Sequence, residues 1–226
     1  MKKVKFVSVL VLLSMLLSVG PSSVMGQGPP SGDDGFCSKV AQCLKPRSLT
    51  KKELEKAHQL QQNRLTISLN VPAYSKYSYP WYDDWMEDEH EQIQYKGCCL
   101  TSATMVFGYY GSSDNPGEVN TCMGDDACLW TFAKGDDCSD NTADWDDFVW
   151  ASYAALTLNL NEGYPPMLQL RKGVNDEHWV VVKAVSGGTE ADDFTAIDPD
   201  GGTARTLDYW LDNGWWMRVI AIYTPR

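Results

Sequence analysis

The sequence predicts an α+β fold with a largely antiparallel sheet, on three observations. Helical spacing comes first along the chain, four short β-rich runs follow it, and Gly-containing turns separate those runs. With one domain's worth of residues, this points to a helical layer packed against a sheet of sequential strands.

Residues 1–26 stand apart. Lys2, Lys3 and Lys5 lead into "FVSVLVLLSMLLSVG", and small residues at Val24 and Gly26 precede Gln27, the pattern of a secretory signal peptide cut near Gln27. The apolar run, about 15 residues, is short of the about 20 needed to span a bilayer; if retained, it would tether the chain at the cell surface. Removing it takes away three lysines and no acid, leaving 16 basic against 30 acidic residues, a net −14 in place of −11. So acidic a chain has no electrostatic footprint for nucleic acid or anionic lipid, and nothing later predicts a transmembrane segment. The expected location is secreted or extracellular.

Residues 27–64 read as a polar extension. "QGPPSGDDGF" is a flexible lead-in, Cys37 and Cys43 are expected to pair with each other, and Thr50 with Glu53 forms a capping-box start for a polar helix. The globular part is expected over residues 65–226. "LTISLNVPAYSKY" opens it as a strand stopped by Pro72, and the aromatic, acidic stretch up to Gly97 reads as a long loop. A helix is predicted over Cys98 to Tyr110, with Gly111 at its C′ position. Residues 112–142, rich in Gly, Asp and Asn with three cysteines, read as a disulfide-stapled loop insertion. "ADWDDFVWASYAALTLN" is predicted helical, and "PPMLQLR", "HWVVVKAVS", "DFTAIDP" and "WWMRVIAIY" are predicted strands.

Seven cysteines in an exported chain favour disulfides, and the odd number leaves one thiol over. Of the three histidines, His58 and His90 lie in polar surroundings and read as solvated. His178 stands at the mouth of "HWVVV", where a rigid strand would hold it at a cleft. With a three-residue hairpin loop centred on Gly188, His178 and Asp198 are equidistant from the turn and face each other; a shift of one residue would separate them. An acid behind a histidine fixes its tautomer and stabilises the imidazolium. The nucleophile is sought at a helix start, where unpaired N–H groups favour a thiolate, and Cys98 and Cys99 both qualify. Helical phase groups Cys99 with Ala103, Val106 and Tyr110 as a buried stripe, and Cys98 with Ser102, Met105 and Tyr109 on a mixed face.

Five stretches, "LNVPAYSKY", "QIQYKGCCLTSATMVFGYYG", "EGYPPMLQL", "EHWVVVKAVSG" and "TAIDPDGG", run in the order Cys, His, Asp. Over most of residues 68–202 the chain resembles the papain-like cysteine peptidases of the bacteriocin-processing type and their secreted relatives. That resemblance implies a papain-like fold, with an N-terminal catalytic helix packed on an antiparallel sheet. It also implies Cys98 as nucleophile, His178 and Asp198 as its partners, and Gln92, six residues before Cys98, as side-chain oxyanion donor, with Gln94 as rival. The chain departs from the family pattern where Cys99 and Leu100 replace Gly-Pro. The expected activity is peptide-bond hydrolysis through a thioester, with a peptide or protein substrate and no cofactor. The other class in view is a degenerate member that binds peptide or glycan without cutting.

In this reading Cys99 is packed or bridged to Cys122, Cys128 or Cys138, so that six cysteines staple and one reacts. The acids Asp125, Asp126, Asp136, Asp137, Asp140, Asp144, Asp146 and Asp147 match no Ca²⁺-loop spacing, and the cysteines lack the paired spacing of zinc sites, so no metal is expected. Trp179, Trp210, Trp215 and Trp216 lie in or beside strands and read as core and rim.

Overall fold

The computed structural model describes residues 45–86, 91–127 and 131–226, all within one compact unit. The expected signal peptide and its cleavage point, the Cys37–Cys43 pair, His90 and Cys128 lie outside the described residues.

The chain is mixed α and β, built on an antiparallel sheet. Helix α1 (Lys51–Gln62) begins at the expected capping box, Thr50 Oγ1 accepting from Glu53 N–H while Glu53 accepts from Thr50 N–H. It packs on α6 (Tyr153–Glu162) through Lys56 and Glu162, and Arg47 ahead of it bridges to Val149, so residues 45–62 dock on the sheet unit. Strand β1 (Thr66–Ser68) follows. The expected loop before Cys98 holds a small hairpin, β2 (Trp85–Met86) with β3 (Glu91–Gln92), and one turn of helix, α2 (Ile93–Lys96). Helix α3 spans Cys98–Tyr110 as predicted and ends at Gly111, whose φ of 109° suits glycine.

Two expectations are corrected. Residues 112–142 are largely helical, with α4 (Pro116–Met123) and α5 (Phe132–Asp137) joined by the disulfide Cys122–Cys138. The helix signal lay in Asn115-Pro116-Gly117-Glu118: Asn115 caps, Pro116 takes the first position and Glu118 closes a capping box. Residues 143–150 are not helical but form strand β4 (Ala143–Trp150), and α6 starts only after Ser152, which caps Ala155 N–H. A register shift between Trp145 and Asp147 puts Trp145 and Phe148 against each other with ring centroids 4.5 Å apart. That bulge imposes a three-residue spacing that imitates a helix.

The four predicted strands are β5 (Met167–Lys172), β6 (Asp176–Ser186), β7 (Phe194–Asp198) and β9 (Trp216–Pro225), with a further strand β8 (Thr203–Thr206) and a short helix α7 (Asp208–Leu211). The sheet order is β4-β9-β5-β6-β7-β8, with β1 paired to the far end of β6. One face buries Val106 and Phe107 of α3 against Trp179, Val181, Ile197 and Tyr223; the other buries Leu156 and Leu160 of α6 against Val180, Val182, Phe194 and Ile220. Burying these side chains on both faces, at about 1.5–3 kcal/mol each, drives the layered fold. Among the described residues, no helix is long and apolar enough to cross a membrane.

Candidate active site

Two chain segments meet at the start of α3. Gly97 joins α2 to α3, and a Cβ there would lie 2.5 Å from Ile93 O, closer than any side chain tolerates. The close turn leaves Cys98 as the first residue of α3. The helix is tied to the sheet by Ser102, whose hydroxyl donates to Trp179 O at 3.2 Å, so Cys98 is carried to the end of β6 where His178 begins the buried run.

His178 and Asp198 come together. Nε2 of His178 lies 2.9 Å from Oδ1 of Asp198, both side chains are buried, and the Asp200 N–H also donates to that oxygen at 2.9 Å. The expected hairpin register is corrected. Phe194 and Thr195 pair with Val185 and Ala184, whereas Ala196 and Ile197 pair with Val182 and Val181 after a bulge at Lys183. The turn is wider than three residues, and continuing the register sets Asp198 opposite Val180, two residues from His178 on the same face. Without the bulge, Asp198 would oppose Val181 and point to the other face.

With Nε2 on Asp198, Nδ1 remains for Cys98. Burial opposes a charged imidazole, but hydrogen bonds to Asp198 and Cys98, and their charges, raise its pKa from 6.5 to about 10. These interactions favour the imidazolium form of His178, beside a carboxylate and in reach of the cleft that Cys98 lines. Trp210 and Trp215 shield it, with ring centroids 6.4 and 6.1 Å away.

Cys98, His178 and Asp198 line one open cleft of about 400 Å³, with Tyr95 and Tyr209 among its walls. Cys99 does not line it. Both thiols are free, which overturns the six-and-one cysteine count: Cys99 is not bridged but takes the other expected state, packed against the α3-side core. Burial first, then the charges of Cys98 and Glu177, push its thiol well above the ordinary range, so Cys99 stays protonated. The mixed face expected beside Cys98 is also corrected, since Ser102 and Met105 are fully buried; α3 is enclosed from Leu100 to Phe107, and what separates the two cysteines is the cleft.

Gln92 does not line the cleft that Cys98 lines. It is the N-cap of α2, its amide donates to Asp83 O at 3.0 Å, and its carbonyl accepts from the Gln94 amide at 2.8 Å. Neither glutamine lines the cleft. No family model and no curated protein matches the chain.

Two cleft residues were not legible in the sequence. Lys76, 6 % exposed, pairs with Asp200 Oδ1 at 2.7 Å, and Arg205 lies over Tyr209 with its Nε 3.6 Å from Asp198 Oδ2. Both reach the site through tertiary docking, which no local pattern announces. His178, Asp198 and Asp200 also hold ligand atoms within 4.8 Å of one another, a spacing a metal ion could use. Lys76 and Arg205 already supply cations to the two carboxylates, and this favours an ion-paired network over a divalent ion.

Proposed function

We propose that this protein is a secreted, papain-like cysteine peptidase using Cys98, His178 and Asp198. The observation that carries the reading is the His178 imidazole held by Asp198 through one nitrogen in the cleft that Cys98 also lines. An α3 start facing a strand-borne histidine across a cleft supports the papain-like assignment, and the Cys122–Cys138 disulfide supports export to an oxidising compartment.

In the proposed reaction the Cys98 thiolate attacks a peptide carbonyl, forming a C–S bond as the carbonyl π pair moves to oxygen. The tetrahedral intermediate collapses, the C–N bond breaks, and the amine leaves with the proton from His178. Water, deprotonated by His178, attacks the thioester and releases the acid and Cys98. Asp198 holds the imidazole in place throughout. Tyr95 and Tyr209, both well exposed, offer aromatic walls for peptide side chains.

One observation favours a peptide-binding module without turnover: Gln92, the expected oxyanion donor, is engaged elsewhere. A fluorogenic peptide library decides between them. Cleavage by the wild type that is abolished in Cys98→Ala and His178→Ala supports the peptidase; saturable peptide binding with no cleavage, unchanged in Cys98→Ala, supports the module.

A further inference from the structure

An acyl-transfer site on Cys98 needs a donor aimed at the oxygen that becomes anionic, and the two glutamines lie outside the cleft. Three residues with permanent cations line it. Arg205 is stacked on Tyr209 and turned to Asp198, behind the imidazole, and Lys96 is exposed to water. Lys76 alone among them is buried, where a charge acts most strongly.

The loop carrying Lys76 is fixed from several sides. Its N–H donates to Pro199 O at 3.0 Å, the Trp81 indole donates to Ser75 O at 2.9 Å, and a Cβ added at Gly202 would come into ordinary contact, 3.4 Å, with the backbone of Tyr74. Pro72, earlier in the loop, packs so closely on Gly108 of α3 that a Cβ at Gly108 would lie 2.8 Å from it. The turn after Asp198, the helix that begins with Cys98 and the Lys76 loop therefore form one packed assembly. The Lys76 ammonium has three N–H donors, and Asp200 takes one at 2.7 Å. Burial opposes its charge, but the Asp200 hydrogen bond and charge, with Cys98 adding to them, raise its pKa, so it stays an ammonium.

We infer that Lys76 is a further catalytic residue, whose ammonium donates to the oxyanion formed when Cys98 attacks a carbonyl. This rests on the Cys98 reading above. As the C–S bond forms, the carbonyl π pair moves to oxygen and a Lys76 N–H donates to it without losing its proton; as the C–N bond breaks, the pair returns to the carbonyl. The anchored ammonium meets the charge without reorganising, as an oxyanion donor must.

The test compares two reactions of Cys98 in the full-length protein. Iodoacetamide alkylates the thiolate without creating an oxyanion, whereas the peptide aldehyde acetyl-Leu-Leu-norleucinal adds to it and places charge on oxygen. In Lys76→Met, aldehyde affinity is expected to fall by about 10²- to 10³-fold, with the limiting alkaline rate of iodoacetamide labelling at Cys98 kept within about threefold. Lys76→Gln, which keeps an N–H donor, is expected to recover part of the loss. Because Lys76→Met strands Asp200, the double variant Lys76→Met/Asp200→Asn is measured beside it, and thermal unfolding confirms that each is folded. Unchanged aldehyde affinity with intact labelling overturns the role of Lys76 and leaves Cys98 standing. Equal loss of both reactions in the folded double variant overturns it in favour of a structural ion pair. A wild-type Cys98 that iodoacetamide does not label overturns the Cys98 reading and the inference with it.

Discussion

Replacing Asp198 by Asn removes the charge that holds His178 protonated, and the consequence is read in stability against pH. His178 is 8 % exposed, and its pKa is raised from 6.5 to about 10 because bonds to Asp198 and Cys98 outweigh burial. A raised pKa stabilises the folded protein fully below pH 6.5, and that contribution is lost as pH climbs from 6.5 through about 10. At about 1.4 kcal/mol per pH unit, this interval corresponds to about 5 kcal/mol as an upper value, shared between Asp198 and Cys98. In Asp198→Asn, burial dominates and the imidazole is expected to be neutral near pH 7. Urea unfolding of both proteins from pH 5.5 to 10.5 measures the difference. The wild type should lead by a few kcal/mol at pH 5.5, the lead shrinking steadily toward pH 10. A difference that stays flat across this range, or widens with pH, refutes the account of His178.

Two further perturbations test how the site is carried. Gly97→Ala drives a Cβ against Ile93 O; it should cost about 1–3 kcal/mol in urea unfolding and slow the labelling of Cys98 by displacing the start of α3. Cys122→Ser/Cys138→Ser opens a link across a sequence separation of 16 and should cost about 3 kcal/mol, while Cys98 labelling stays within about twofold, since neither cysteine lines the cleft.

The strands after Pro165 were legible because alternation and glycine turns are local signals, and the bounds of α3 were legible because Gly111 marks its end. Strand β4 is masked in the sequence because its bulge places Trp145 and Phe148 at helical spacing. In the insertion, a Gly-, Asp- and Asn-rich composition hides the helix signal carried by the capping box at Asn115 and Glu118. His178 and Asp198 meet across a loop wider than three residues, and the bulge at Lys183 restores the parity that keeps both on one face. Helical phase did not separate Cys98 from Cys99, because α3 is enclosed on nearly every side; only the cleft separates them. Lys76 and Arg205 stayed hidden because they join the site through packing between segments far apart in sequence.

The most direct measurement is treatment of the non-reduced, full-length protein with an epoxysuccinyl peptide, followed by intact mass and peptide mapping. One adduct on Cys98, none on Cys99, and no adduct on Cys98 in the His178→Ala variant is the predicted result, since Cys99 stays protonated and outside the cleft. Modification of Cys99 in place of Cys98, or recovery of Cys98 in a disulfide, would contradict the central claim.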